Sequence, residues 1–193
     1  MNENHARVCA GPEWAAYVQT ELLPHLVGPI DLGRELLELG PGPGATTDWL
    51  RTRVERLVAL ELEEPAAGLL ATRFAGTNVE PVVGDATAMK FPDESFDSVG
   101  CFTMLHHIPT AEGQRNLFAE ALRVLRPGGV LVGADSRHTE ELDEFHEGDV
   151  YNPIEPGQLL TWLLAVGFQD ITVKVSYQLT FTGHKAAVPA TAS

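Results

Sequence analysis

Glu35-Leu36-Leu37-Glu38-Leu39-Gly40-Pro41-Gly42-Pro43-Gly44-Ala45-Thr46-Thr47 combines an apolar run, three glycines at alternate positions and residues able to open a helix. The run predicts a strand that feeds a tight turn and leaves backbone N–H groups exposed at the start of a helix. Glycines there let a ligand approach the main chain without interference from a Cβ atom. A nucleotide site at the carboxyl edge of an α/β sheet is built this way. The dinucleotide fingerprint Gly-x-Gly-x-x-Gly requires its third glycine where Ala45 stands, so a nicotinamide-dependent oxidoreductase is the weaker of the two nucleotide readings.

Two later strands end in acids. Arg56-Leu57-Val58-Ala59-Leu60-Glu61 closes on a carboxylate about twenty residues past the first glycine, the offset at which Rossmann-like sites bind ribose hydroxyls. Val79-Glu80-Pro81-Val82-Val83 delivers Gly84-Asp85-Ala86, and Pro81, which cannot donate to a ladder, predicts that this strand lies at a sheet edge. A buried strand follows within the stretch from Phe91 to Phe102. It runs into Thr103-Met104-Leu105-His106-His107-Ile108-Pro109, and a helix over 114–125 then leads to Leu125-Arg126-Pro127-Gly128-Gly129-Val130 and a fifth strand.

Glu38-Leu39-Gly40-Pro41-Gly42-Pro43-Gly44 resembles the acid-x-Gly-x-Gly-x-Gly signature of class I S-adenosylmethionine-dependent methyltransferases. The Leu-His-His loop and the Leu-x-Pro-Gly-Gly turn resemble later landmarks of that family. The resemblance spans residues 35–135. It implies an α/β, Rossmann-like, doubly wound and mostly parallel seven-stranded sheet with an antiparallel edge strand, and S-adenosylmethionine as cofactor. It places Glu38, Gly40, Gly42, Gly44, Glu61, Leu62, Asp85, Ala86 and Phe102 around that cofactor, with Asp85 accepting from the adenine amino group and Phe102 beside the methionine part. It also implies that the helix before the sheet closes over the site, making Tyr17 a pocket residue, and that His107, Asp135 and His138 meet there. His106 is the candidate general base, with His107 as its alternative, because an imidazole titrates near neutrality and follows the fourth strand. The expected reaction is methyl transfer to a small molecule. A domain that binds the cofactor without transferring methyl is the rival.

At 193 residues the chain is expected to form one domain: a helical cover over 1–34, a cofactor-binding core over 35–135, a lid over 136–154, and a last helix with edge strands over 155–185. The cover helix is read from Trp14, Val18, Leu22 and Leu26, spaced four apart. A formal net charge of -14 with no clustered Lys and Arg argues against nucleic acid as a partner. The absence of a signal-like or membrane-length apolar stretch predicts a cytoplasmic protein, as monomer or homodimer, away from membranes. Cys9 and Cys101 lie far apart outside any Cys-x-x-Cys pattern, and no metal-binding motif is evident along the chain.

Overall fold

The computed structural model describes residues 2–188. Seven strands form one sheet: β1 (Glu35–Leu39), β2 (Arg56–Glu61), β3 (Val79–Val83), β4 (Phe96–Phe102), β5 (Leu125–Asp135), β6 (Gln169–Val175) and β7 (Leu179–His184). Their order is β3-β2-β1-β4-β5-β7-β6. The first five run parallel, and β7 runs antiparallel to both β5 and β6. The one reversed strand therefore sits second from the edge. Pro81 lies on the edge strand β3, as its missing N–H requires.

Strand alternation sends successive side chains to opposite faces. Leu37 and Leu39 of β1, with Val99 and Cys101 of β4, pack under α6 (Ala111–Val124) and α8 (Pro156–Val166), where Leu117, Phe118, Leu159 and Leu163 are buried. Leu36, Leu57 and Ala59 face the other way. They meet Leu50 of α4 (Ala45–Leu50), with Leu70 of α5 (Glu64–Arg73) and Phe74 just beyond it. The same face carries the stretch expected as one helix. It consists of α2 (Pro12–Tyr17), a π-helical turn at Val18–Leu22 and α3 (Leu23–Leu26), with Val18, Leu22 and Leu23 buried. Gly167 ends α8 in the left-handed conformation, φ 116°.

Two short helices carry too little apolar periodicity to be seen in the sequence: α1 (Glu3–Cys9) and α7 (Glu140–Phe145). Segment 136–154 is tied down over the loop after β4. Asn152 N–H donates to the His106 carbonyl at 2.7 Å, and the Gln114 amide bridges the carbonyls of Leu105 and Asn152 at 2.9 and 2.8 Å. Among the described residues no helix is long and apolar enough to cross a membrane.

Candidate active site

The carboxyl ends of the adjacent strands β3, β2 and β1 place Asp85, Glu61 and the glycine turn side by side on one edge of the sheet. Gly40, Gly42 and Gly44 all have positive φ, at 61°, 53° and 88°. They are not equivalent. A Cβ on Gly40 would stand 2.9 Å from Met104 and one on Gly44 2.8 Å from Phe74, whereas one on Gly42 would meet nothing within 4 Å. Gly40 and Gly44 are therefore fixed by the protein's own packing, and Gly42 borders the space that a ligand can enter.

Glu61 is half-buried, with Oε1 accepting from the Glu63 N–H at 3.2 Å. Asp85 is exposed. Its Oδ1 takes the N–H and hydroxyl of Thr87 at 2.7 and 2.8 Å, an Asx turn that steadies the carboxylate and leaves Oδ2 without a partner among the described residues. Ala86 and Phe102 are buried beside this edge, and the Leu62 side chain is exposed.

Glu38 differs from its expected part at the cofactor. Its side chain is 1% exposed and accepts hydrogen bonds from the hydroxyls of Thr46 and Thr47, the latter at 2.6 Å. The carboxylate thus fastens the turn to the first residues of α4 from behind. Burial raises its pKa to about 7 against the pull of the two hydroxyls. A carboxyl group raised on folding favours the native state while protonated and loses that advantage as the pH rises through the folded value. Ligand-free protein is therefore expected to lose stability between about pH 4.5 and 7, by at most about 3 kcal/mol. Denaturant titrations across this range should show the slope in the wild type and a flatter profile in Glu38→Gln.

The loop after β4 begins with Thr103, a β-branched residue at φ 50°, held by its N–H to the Ala134 carbonyl at 2.7 Å. Such a conformation is costly for threonine and is the kind of strain found where a fold fixes a functional loop. Asp135, 1% exposed, anchors Leu105 and His106 of the loop. Its Oδ2 accepts from Leu105 N–H at 2.8 Å, and its Oδ1 is 2.5 Å from His106 Nδ1 and 2.6 Å from Ser136 N. Asp135 is thus a positioning residue, spent on the loop rather than open to an acceptor.

His106 is 3% exposed. As a general base it would have to present Nε2 to an acceptor, but that atom is buried without a hydrogen-bond partner among the imidazoles of His5, His107 and His146. Burial and the neighbouring imidazoles lower the pKa values of His5 and His107 to about 4, so both rings are neutral at pH 7. His138, expected beside them, is turned outward onto Asp143 at 3.0 Å with half its side chain exposed. Tyr17 is also apart from this cluster. It donates to Gln178 at 3.3 Å and lines a groove of about 720 Å³ between the N-terminal helices and the last two strands, with Leu22, Leu26, Ile30 and Phe181. The groove reaches the same sheet edge, because Leu179, next to Gln178, pairs with Asp135.

Residues 37–133, half of the chain, match the family described as Methyltransferase domain. A probable S-adenosylmethionine-dependent methyltransferase of Mycolicibacterium smegmatis is 30% identical over 66% of this chain and 50% of its own length. A fatty-acid O-methyltransferase of the same organism is 30% identical over 64% of this chain and 44% of its own. The chain thus spans half or less of the length of these curated relatives. An S-adenosylmethionine-dependent methyltransferase from Mesorhizobium loti superposes with a TM-score of 0.71 at 18% identity, covering 87% of this chain and 98% of that one. With the glycine turn and the two strand-end acids on one edge of a seven-stranded sheet, the chain belongs to the methyltransferase domain family of class I, whose cofactor is S-adenosylmethionine.

Proposed function

We propose that the protein transfers the sulfonium methyl of S-adenosylmethionine to a small-molecule acceptor lying in the groove beside Tyr17. The cofactor would lie along the edge formed by Gly42, Glu61 and Asp85. The observation that carries this reading is the open space at Gly42, flanked on neighbouring strands by two carboxylates set to take ribose hydroxyls and the adenine amino group. The groove lining, in which Leu22, Leu26, Ile30 and Phe181 stand with Glu21, His25 and Lys174, and the fatty-acid acceptor of one relative favour an acceptor with both a hydrocarbon part and a polar group. The methyl group is already activated by its positive sulfur, so alignment of nucleophile, methyl and sulfur in a site that excludes water supplies much of the rate. His106, with its acceptor nitrogen enclosed, is not needed as a base in this scheme.

Calorimetric titration with S-adenosylhomocysteine and NAD side by side tests the cofactor edge. S-adenosylhomocysteine should bind, and Glu61→Ala should weaken it about tenfold or more through lost hydrogen bonds to a charged group. Saturable NAD binding without a response to S-adenosylhomocysteine would overturn the assignment. Methyl transfer from labelled S-adenosylmethionine to a panel of fatty acids, sterols and aromatic hydroxyl compounds then tests the groove. Substitution of Leu26 by Arg should raise KM for a true acceptor and leave the cofactor affinity in place.

A further inference from the structure

We propose that His5, His106, His107 and His146 form a binding site for one divalent transition-metal ion of borderline softness, with Zn²⁺ the ion that the donor set fits best. One ring nitrogen from each of the four lies within 4.8 Å of the other three. The site stands apart from the methyl-transfer reading, since none of these residues belongs to the cofactor edge.

The second nitrogen of each ring decides which atom faces inward. Nδ1 of His5 lies 3.3 Å from the Asp149 carboxylate and Nδ1 of His106 2.5 Å from that of Asp135. Nδ1 of His107 is 3.2 Å from the Val150 carbonyl, and Nδ1 of His146 is 2.6 Å from the Leu142 carbonyl. Carbonyls and carboxylates only accept, so each Nδ1 carries a ring proton, and in the neutral ring that a metal ion requires each Nε2 holds the lone pair. The four rings share one space, and among the described residues the Nε2 atoms of His106 and His146 are buried without a partner. Leaving such atoms unsatisfied is costly. Metal-binding histidines are held by this same outer arrangement, with the far ring nitrogen donating to a carboxylate or a main-chain carbonyl.

The donors are four imidazoles with no thiolate. Hard ions such as Mg²⁺ and Ca²⁺ prefer oxygen, whereas Zn²⁺, Co²⁺, Ni²⁺ and Cu²⁺ take imidazole readily. A Zn–N distance of about 2.0–2.1 Å in a tetrahedron sets the nitrogens about 3.4 Å apart, so the longest separation must close by about 1.4 Å. Rotation of the rings toward a common centre would have to supply that closure. The four ligands come from three parts of the chain: α1, the loop after β4, and the residue following α7. With four protein ligands the shell is complete, and the ion acts as a clasp that holds the N-terminal helix and segment 136–154 over the loop.

The test uses full-length protein without a polyhistidine tag, stripped with chelator and titrated with Zn²⁺ and Co²⁺. The expected results are one ion per chain at micromolar affinity or tighter, the visible absorption of tetrahedral Co²⁺, and a Tm raised by about 5 °C or more at a hundredfold excess over Kd. His5→Ala and His146→Ala should each weaken the ion at least tenfold while S-adenosylhomocysteine still binds, which shows that the variants fold. Absence of the Co²⁺ absorption and the Tm shift in the wild type would overturn the proposal. So would a folded His146→Ala variant that binds the ion like the wild type. If a variant does not fold, the wild-type titration decides alone. Loss of metal binding with intact S-adenosylhomocysteine binding, or the reverse, separates this proposal from the cofactor assignment.

Discussion

Gly42→Val is expected to abolish S-adenosylhomocysteine binding in calorimetry, a loss of at least about a hundredfold, in a protein that still unfolds cooperatively. The added side chain enters space that nothing in the protein occupies, so the packing around it is undisturbed. Its cost to the fold is that of a β-branched residue at φ 53°, about 1–2 kcal/mol. The cofactor loses the room itself. Gly44→Val should behave differently, because its Cβ would stand 2.8 Å from the buried Phe74 ring at φ 88°. That variant should be unstable whether or not ligand is present. Gly42→Asn, which tolerates positive φ better, isolates the steric effect from the backbone one. Normal binding by a folded Gly42→Asn or Gly42→Val would move the site away from this turn.

The second large effect is expected at Asp135. Asp135→Ala removes the acceptor of Leu105 N–H and His106 Nδ1–H, both closed to water, and of the half-buried Ser136 N–H. Orphaning several buried donors at once costs about 3–5 kcal/mol, which for a chain of this size lowers Tm by roughly 6–20 °C. Asp135→Asn keeps one accepting oxygen and should recover about half of the loss. Chemical denaturation of the three proteins at one pH checks the order. Equal stability of Asp135→Ala and wild type would show that the loop after β4 is held by other contacts.

Much of the sheet edge formed by β1, β2 and β3 was legible in the sequence because local signals and the sheet period agree there. β1, β2 and β3 end where the apolar runs meet glycine or acid, and Pro81 placed β3 at the rim. Glu38 shows the limit of a motif read without its face. It shares strand parity with Leu36, which packs on the side of α4, so its carboxylate points at Thr46 and Thr47 behind the turn. The histidine cluster was harder, because it is assembled from distant segments. His138 was the histidine nearest the end of β5, but the chain turns back through α7 and brings His146 to His106 instead. His5 sits on a helix without apolar periodicity, held through Asn2 and His5 to residues 145–149. Nothing local records that closure. The metal cluster was invisible for the same reason, since its members lie at positions 5, 106, 107 and 146 with no ligand spacing to recognise.

The two rims of the sheet bear on how copies of the chain can meet. On one side β3 carries Pro81, with no N–H to offer, beside Glu80, whose charge is held by Arg56. On the other, β6 breaks register between Gln169 and Thr172, bends through Asp170 at φ 48°, and places Lys174 along its length. Prolines, charges and bulges at these positions blunt a sheet against edge-to-edge growth. Neither rim presents an uninterrupted template for another strand, which works against edge-to-edge pairing and amyloid-like stacking of copies.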